Sequence, residues 1–319
     1  MPPSPQHART APGQLIDVGG HRLHLVSSGS GAPVVVMEAA LGGSSISWSL
    51  VQPAVARLTQ VCAYDRSGFG WSDPGPMPRT AGRVADELRT LLDVGGVQPP
   101  FVLVGHSFGG LVMRIFAARY RDKVAGLVLV DPAHPEDWVT PAPKEQIKID
   151  RGIRLCRSGA TAARFGAARA VSGLVSLGLF GVARGIAKVV SRGGLSREDE
   201  GILAPVWKLP PEARRPLRRF WTQEKFFDAL GSQIATISNS AAETLDESGR
   251  GFGDLPLITI SSTDPGDYRL RQQEALARLS TRGAHIVASN SGHWIPLDEP
   301  QVVIDAIRDM LVIVRSARS

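Results

Sequence analysis

A serine flanked by glycines at the spacing G-x-S-x-G lies in the sequence VGHSFGG. An apolar run, Phe101–Val104, precedes it and an amphipathic run, Leu111–Tyr120, follows it, which predicts a strand, a sharp turn and a helix. A turn of this kind strains the backbone of Ser107 and lifts its hydroxyl above the sheet. Gly105 and Gly109 are expected because a Cβ at either position would collide with neighbouring backbone. The pattern predicts Ser107 as a nucleophile.

A serine hydroxyl needs a base within hydrogen-bond reach, and that base is usually a histidine oriented by a carboxylate. Where the nucleophile sits on such a turn, the chain order is nucleophile, acid, histidine. Of the seven histidines, His293 best fits this order, because it follows the predicted strand Ala284–Ala288 and precedes a helix beginning near Pro300. We therefore predict that His293 is the base.

Two aspartates compete for the role of the acid. Asp131 follows the predicted strand Val124–Val130, and Asp264 follows the predicted strand Leu255–Ser261. Active-site groups collect at the carboxyl ends of strands in open α/β sheets, so both positions qualify. Asp267 is a weaker third choice. The residues alone leave the choice open, and the aspartate without this role is expected to cap a turn or a helix.

The oxyanion that forms during acyl transfer needs two backbone N–H donors. The residue after the nucleophile, Phe108, is expected to supply one. The loop after the earlier strand Pro33–Glu38 is expected to supply the other, from Leu41 or from its neighbour Ala40.

Apolar strands without polar alternation are separated by helical segments, which predicts a parallel sheet covered on both faces. The other predicted strands are His21–Ser27, Gln60–Asp65 and Phe101–Gly105, and the other predicted helices are Trp48–Leu58, Thr80–Val94, Tyr268–Leu279 and Gln301–Val314.

The composition changes after the strand that ends at Val130. Residues 135–253 are rich in Arg, Ala and Gly with helical periodicity, which predicts a helical cap inserted into a core made of residues 14–134 and 254–319. Within the cap, Ala170–Ala187 approaches transmembrane length but contains Arg184 and four glycines, so we interpret it as a lid helix pair. Contact of the cap with a membrane surface is the less favoured alternative.

Charge and cysteine usage narrow the function classes. The net charge of +6 comes from scattered arginines rather than from a basic run with interleaved aromatics, so we expect no nucleic-acid partner. Cys62 and Cys156 show no metal-ligand spacing and are interpreted as free thiols of a cytoplasmic protein. Residues 1–13 lack an apolar core and are interpreted as a disordered tail rather than a secretory signal.

The loop from Asp65 to Asp73 is rich in glycine but lacks G-x-G-x-x-G, so it is not interpreted as a dinucleotide site. We expect Asp65 and Arg66 to brace this loop and assign them no chemistry.

The chain resembles the α/β-hydrolase superfamily in the serine turn, in the Asp65–Asp73 loop and in Ser291–Pro300. The resemblance implies a mostly parallel eight-stranded sheet with helices on both faces and no cofactor. The phrase Val130-Asp131-Pro132-Ala133-His134-Pro135 looks like a bacterial subgroup whose acid follows the earlier strand, whereas Asp264-Pro265 matches the commoner position of the acid in the superfamily. Asp131 is the preferred acid, and Asp264 stays the alternative. Many relatives have His-Gly where this chain has Ala39-Ala40.

The resemblance implies a serine esterase or lipase-like enzyme. We expect the cap to supply an apolar acyl pocket, which favours small, uncharged, fairly hydrophobic esters. Haloalkane dehalogenases and epoxide hydrolases of this fold carry Asp at the position of Ser107, which argues against their chemistry. Amide hydrolysis, C–C bond hydrolysis and perhydrolysis are alternatives that use the same triad. A ligand-binding or signalling protein that has kept the fold is an alternative of another class, and the Ser107/His293 pair argues against it.

Overall fold

The computed structural model describes residues 12–176, 208–263 and 267–317. An eight-stranded sheet with the order β1-β2-β4-β3-β5-β6-β7-β8 forms its centre. The strands are β1 (Gln14–Asp17), β2 (Arg22–Ser28), β3 (Val34–Glu38), β4 (Val61–Asp65), β5 (Phe101–His106), β6 (Val124–Val130), β7 (Leu257–Ser262) and β8 (Gly283–Ala288).

Strand direction determines where the functional groups meet. β2 pairs antiparallel with both β1 and β4, whereas every neighbouring pair from β4 to β8 is parallel. The carboxyl ends of β3 to β8 therefore lie along one edge of the sheet. The residues that follow Glu38, His106, Val130 and Ala288 all leave the sheet at that edge.

Helices cover both faces of the sheet, as predicted. Alternate residues of a strand point to opposite faces. In β3, Val34 and Val36 belong to one core with the helices Ala81–Val94 and Phe108–Arg119. Val35 and Met37 belong to a second core with the helices Gln52–Val55 and Pro300–Ser316. The helices are α1 (Gln52–Val55), α2 (Ala81–Val94), α3 (Phe108–Arg119), α4 (Pro135–Val139), α5 (Pro143–Arg164), α6 (Ala167–Ser176), α7 (Pro211–Phe220), α8 (Glu224–Ala235), α9 (Ile237–Ser248), α10 (Asp267–Ala277), α11 (Ile295–Asp298) and α12 (Pro300–Ser316).

Two elements differ from the sequence-based expectation. The helix predicted near Trp48–Leu58 is present but much shorter than predicted, because only α1, Gln52–Val55, is helical there and a 3₁₀ turn, Ser45–Trp48, precedes it. Pro53 lies in the first turn of α1, and a proline lacks the N–H that a longer helix running through this point would need. The pattern also missed β1, because three of its four residues are exposed and it has no apolar run.

Between β6 and β7 the described residues form α4 to α9 and no strand. α9 packs against α3 and α2. The hydroxyl of Ser248 accepts a hydrogen bond of 3.0 Å from Nε of Arg114, and the hydroxyl of Ser240 accepts one of 3.0 Å from the N–H of Ala81. Of the predicted lid pair Ala170–Ala187, only the part up to Ser176 lies within the described residues, and most of the predicted tail lies outside them. Within these ranges no helix is both long and apolar enough to cross a membrane.

Candidate active site

Ser107 occupies a strained turn between β5 and α3. Its backbone has φ 55° and ψ −117°, which is a conformation that residues with a side chain rarely adopt. The flanking glycines explain how the turn fits. A Cβ on Gly105 would lie 2.5 Å from the carbonyl oxygen of Gly109, and a Cβ on Gly109 would lie 2.5 Å from that of Glu38. The expectation that both positions require glycine is confirmed.

His293 lies between Ser107 and Asp131. Its Nε2 is 3.0 Å from Oγ of Ser107, and its Nδ1 is 2.6 Å from Oδ2 of Asp131. The His293 side chain is 40% exposed, whereas that of Asp131 is 8% exposed. The carboxylate is therefore shielded on one side of the ring, whereas Ser107, on the other side, is partly exposed. This arrangement can take a proton from the hydroxyl and stabilise the imidazolium that results.

Asp131 is held from two directions. Its side chain accepts hydrogen bonds from the backbone N–H of Ser262 at 3.3 Å and from the Ser262 hydroxyl at 3.4 Å. Its backbone has φ 37° and donates a hydrogen bond of 2.7 Å to the carbonyl of Ile260. Burial raises the pKa of Asp131, but the hydrogen bond and charge of His293, with the Ser262 amide, outweigh it. The pKa therefore lies below its ordinary value, and the carboxyl is ionised at neutral pH.

The alternative acid, Asp264, lies outside the described residues, and so does the side chain of Asp267. Of the three candidate acids, the contact with His293 is thus described for Asp131 alone.

His106 forms a second contact to the His293 loop. Its Nε2 donates a hydrogen bond of 2.8 Å to the backbone carbonyl of His293, and the two ring centroids are 5.0 Å apart. Burial, followed by the charge of His293, lowers the pKa of His106 to about 3. His106 is therefore a neutral donor under working conditions. The sequence does not predict this contact, because the partner lies in a distant part of the chain.

The loop after β3 contacts the serine turn. A Cβ on Gly109 would lie 2.5 Å from the carbonyl oxygen of Glu38 and 2.8 Å from that of Ala39, so these two oxygens pack closely against the serine turn. Leu41 follows within two residues and is partly buried. Phe108 is the first residue of α3, where backbone N–H groups have no partner inside the helix and the helix dipole favours negative charge.

Asp65 braces the neighbouring loops, as expected. Its carboxylate accepts hydrogen bonds from Nδ1 of His24 at 2.9 Å, from the N–H of Ser45 at 2.7 Å and from the N–H of Trp71 at 3.0 Å. The side chain is fully buried.

A cavity of about 630 Å³ opens beside Ser107 and His293. Its walls come from the segment after β6, from the start of α5 and from α10. Apolar side chains such as Trp138 and Ala142 form a minority of the lining. Besides Asp131, the charged residues around it are Glu136, Asp137, Lys144, Glu145, Lys148 and Arg269. This lining is more polar than the apolar acyl pocket expected from the sequence, because most of the residues after β6 that face the site are polar.

The described part of the chain has no cluster of three or more His, Cys, Asp or Glu side chains able to hold a metal ion. Cys62 and Cys156 are both free and buried.

Comparison with known proteins agrees with this architecture. The model of the alpha/beta hydrolase family matches residues 13–306. An AB hydrolase superfamily protein of Gibberella zeae is 35% identical over 103 residues, which is 31% of this chain and 32% of that protein. A thermophilic esterase from Thermogutta terrifontis superposes with a TM-score of 0.62 at 20% identity, covering 92% of this chain and 94% of its own. The epoxide hydrolase CorEH superposes with a TM-score of 0.59 at 22% identity, covering 94% of this chain and 98% of its own.

The curated relatives match only in part. The matched stretches cover less than half of each of the first four relatives' lengths, from 15% to 42%. The solved structures share the fold at low identity. The family model, in contrast, spans nearly the whole chain from the first strand to the last helix. This chain belongs to the alpha/beta hydrolase family.

Proposed function

We propose that the chain is a serine hydrolase that cleaves carboxylic esters through an acyl-enzyme. One observation carries the proposal: His293 contacts Oγ of Ser107 at 3.0 Å and Oδ2 of Asp131 at 2.6 Å. A hydroxyl, an imidazole and an ionised carboxylate in this order are the groups needed to generate and stabilise an alkoxide-like nucleophile.

In the acylation step, Oγ of Ser107 forms a bond to the ester carbonyl carbon while Nε2 of His293 takes the hydroxyl proton. The tetrahedral intermediate then collapses, the bond to the leaving oxygen breaks, and His293 returns the proton to the departing alcohol. Asp131 stays ionised throughout and stabilises the imidazolium through Nδ1.

The N–H groups of Phe108 and Leu41 are proposed to bind the oxyanion, with Ala40 as the neighbouring alternative to Leu41. Loss of one such donor typically lowers kcat by about 100- to 1,000-fold. In deacylation a water molecule gives a proton to His293 and its oxygen bonds to the acyl carbon. The bond between that carbon and Oγ of Ser107 then breaks, and His293 returns the proton to Oγ, which releases the acid and restores the Ser107 hydroxyl.

Serine rather than aspartate at position 107 supports ester cleavage over epoxide opening. The charged residues around the cavity support esters that carry a polar group over the uncharged, hydrophobic esters that the sequence suggested. A matched pair tests this preference: p-nitrophenyl butyrate and p-nitrophenyl methoxyacetate have acyl chains of equal length. For each ester, kcat/KM is divided by the rate constant of its hydrolysis by hydroxide, which corrects for the different intrinsic reactivities of the two esters. We expect the larger ratio for the methoxyacetate.

The central test uses Ser107→Ala with Ser30→Ala as the matched control, since Ser30 is exposed in the loop between β2 and β3 at the opposite edge of the sheet. The wild type and Ser30→Ala should hydrolyse short p-nitrophenyl esters and gain the mass of a fluorophosphonate adduct. Ser107→Ala should do neither. Ester turnover equal in Ser107→Ala and the wild type, or no turnover in either, would overturn the proposal.

A further inference from the structure

A buried guanidinium contacts the loop proposed to bind the oxyanion. Arg66 follows β4, and its side chain is 1% exposed. Sequence reasoning assigned Arg66 to bracing its own loop. In the structure its hydrogen bonds go instead to the segment after β3, which is separated from it by more than twenty positions in the chain.

The contacts are to backbone carbonyl oxygens. Nη1 of Arg66 donates a hydrogen bond of 2.8 Å to the carbonyl of Ala39, and Nη2 donates one of 2.6 Å to that of Ala40 and a longer one of 3.4 Å to that of Gly43. In a planar trans peptide the C=O and the N–H point in opposite directions. With the Ala40 carbonyl turned toward Arg66, the N–H of Leu41 in the same peptide unit points away from it.

The guanidinium is itself held in place. Oε1 of Glu38 accepts a hydrogen bond of 2.6 Å from Nη1 of Arg66, and the hydroxyl of Tyr64 donates to the other carboxylate oxygen. Both charged side chains are 1% exposed. A planar fork with several donors can bind a carboxylate and two carbonyls together, which a lysine ammonium on a flexible stem reproduces poorly.

Arg66 also contacts the second proposed donor residue. Its Cζ lies 5.4 Å from the centroid of the Phe108 ring and 5.1 Å from that of Phe69. One cation therefore touches the residue after the nucleophile and the peptide unit that carries the N–H of Leu41.

We propose that Arg66, held by Glu38, is a positioning residue that fixes the Leu41 N–H in the orientation needed to bind the oxyanion. This inference rests on the proposed function, because it assigns a role in stabilising that reaction's intermediate. Arg66 touches neither the substrate nor the reacting atoms. Its effect should therefore fall on the transition state rather than on substrate binding.

The test compares Arg66→Lys and Arg66→Met with Arg79→Met. Arg79 is a matched control because its side chain is also fully buried and is paired with a carboxylate, that of Glu87, away from Ser107. For each variant, kcat and KM are measured on a p-nitrophenyl ester. The inhibition constant of a trifluoromethyl ketone, whose adduct with Ser107 carries an oxyanion, is measured alongside the melting temperature.

We expect both Arg66 variants to lose about 100-fold in kcat, with KM changed by no more than about threefold, as for removal of one oxyanion donor. The ketone should bind more weakly by a similar factor. Added guanidinium ion should restore part of the kcat of Arg66→Met. Arg79→Met should keep kcat and ketone affinity, even where its melting temperature falls as far.

Arg66→Lys decides the question if Arg66→Met does not fold. A kcat and ketone affinity within about threefold of the wild type in Arg66→Lys would overturn the inference, and so would an equal kcat loss in Arg79→Met. If the wild type is active and the Arg66 variants are unimpaired, this inference is overturned and the proposed function is not. A wild type without ester turnover or Ser107 labelling overturns the proposed function and this inference with it.

Discussion

Oγ of Ser107 lies 3.0 Å from Nε2 of His293, although the two residues are 186 positions apart in the chain. The sheet makes this contact, because β5 and β8 run parallel and release both residues at the same edge. The hydroxyl and the imidazole are thus already within the distance that proton transfer needs.

The identity of the acid is open to a direct test. Asp131→Asn should lower kcat on p-nitrophenyl esters by about 10³- to 10⁴-fold, because an amide can neither stabilise the imidazolium nor hold the required tautomer. KM should change little. Asp264→Asn, measured in parallel, should have a far smaller effect. If Asp264→Asn is the more damaging of the two, the acid role belongs to Asp264.

Gly109 is predicted to tolerate no side chain. In Gly109→Ala the added Cβ would lie 2.5 Å from the Glu38 carbonyl oxygen and 2.8 Å from that of Ala39, and backbone atoms cannot move aside cheaply. We expect a loss of about 1–3 kcal/mol in the free energy of unfolding, as for other overpacked sites, together with reduced kcat.

Gly173→Ala is the control for this substitution, since nothing lies within 4 Å of the position its Cβ would take and the residue is helical. It should leave activity unchanged and raise stability by about 0.5–1 kcal/mol. Equal tolerance of alanine at Gly109, measured by urea unfolding, would show that the loop after β3 is not packed against the serine turn.

His106 is predicted to make the protein sensitive to acid. Its pKa is lowered to about 3 in the folded state, mainly by burial, whereas an unfolded histidine titrates near 6.5. Between these two values the unfolded chain binds the proton and the folded chain does not, so stability falls as the pH falls through this window. The slope is on the order of 1 kcal/mol per pH unit.

The His106→Phe variant lacks this group but keeps an aromatic ring against His293 and Trp294. Its unfolding free energy should be lower than that of the wild type at pH 7, because the hydrogen bond to the His293 carbonyl is lost. It should decline less steeply from pH 7 to pH 4. The free energy of unfolding of both proteins is measured with urea at pH 7 and pH 4. An equal decrease in the wild type and in His106→Phe would contradict this account.

Both thiols are predicted to be unreactive in the native protein. Cys62 and Cys156 are buried, and burial raises the pKa of Cys62 and raises that of Cys156 to about 12. The thiolate is the reactive form, so an aromatic disulfide reagent at pH 8 should react with neither. In denaturant it should react with two thiols per chain. Rapid reaction under native conditions would show that one of them is accessible.

Much of the fold could be predicted because its main strands are short apolar runs that alternate with helical segments. The short elements over Trp48–Leu58 could not be predicted, because the apolar spacing there matches a longer helix. Pro53 restricts the structure to a 3₁₀ turn and the short α1. β1 could not be predicted either, because it is an exposed edge strand without an apolar run.

At the site, Ser107 and His293 could be selected from chain order, whereas Asp131 and Asp264 both follow core strands and were separable only by a resemblance. The roles of Arg66 and His106 were missed for a different reason. Each bonds to backbone carbonyls of a distant segment, and the identity of a residue does not encode contacts of that kind. The charged lining of the cavity could not be predicted either, because it depends on which sides of the helices between β6 and β7 are directed toward the site.

The parallel arrangement of β5 to β8 also has a consequence during synthesis on the ribosome. Ser107 is made early, Asp131 follows after β6, and His293 emerges only after the last strand, which pairs at the edge of the sheet. A nascent chain can therefore carry the turn with Ser107 while it still lacks His293. Under the proposed function, Ser107 is not activated until the carboxyl-terminal part of the chain has been translated and has taken its place beside β7.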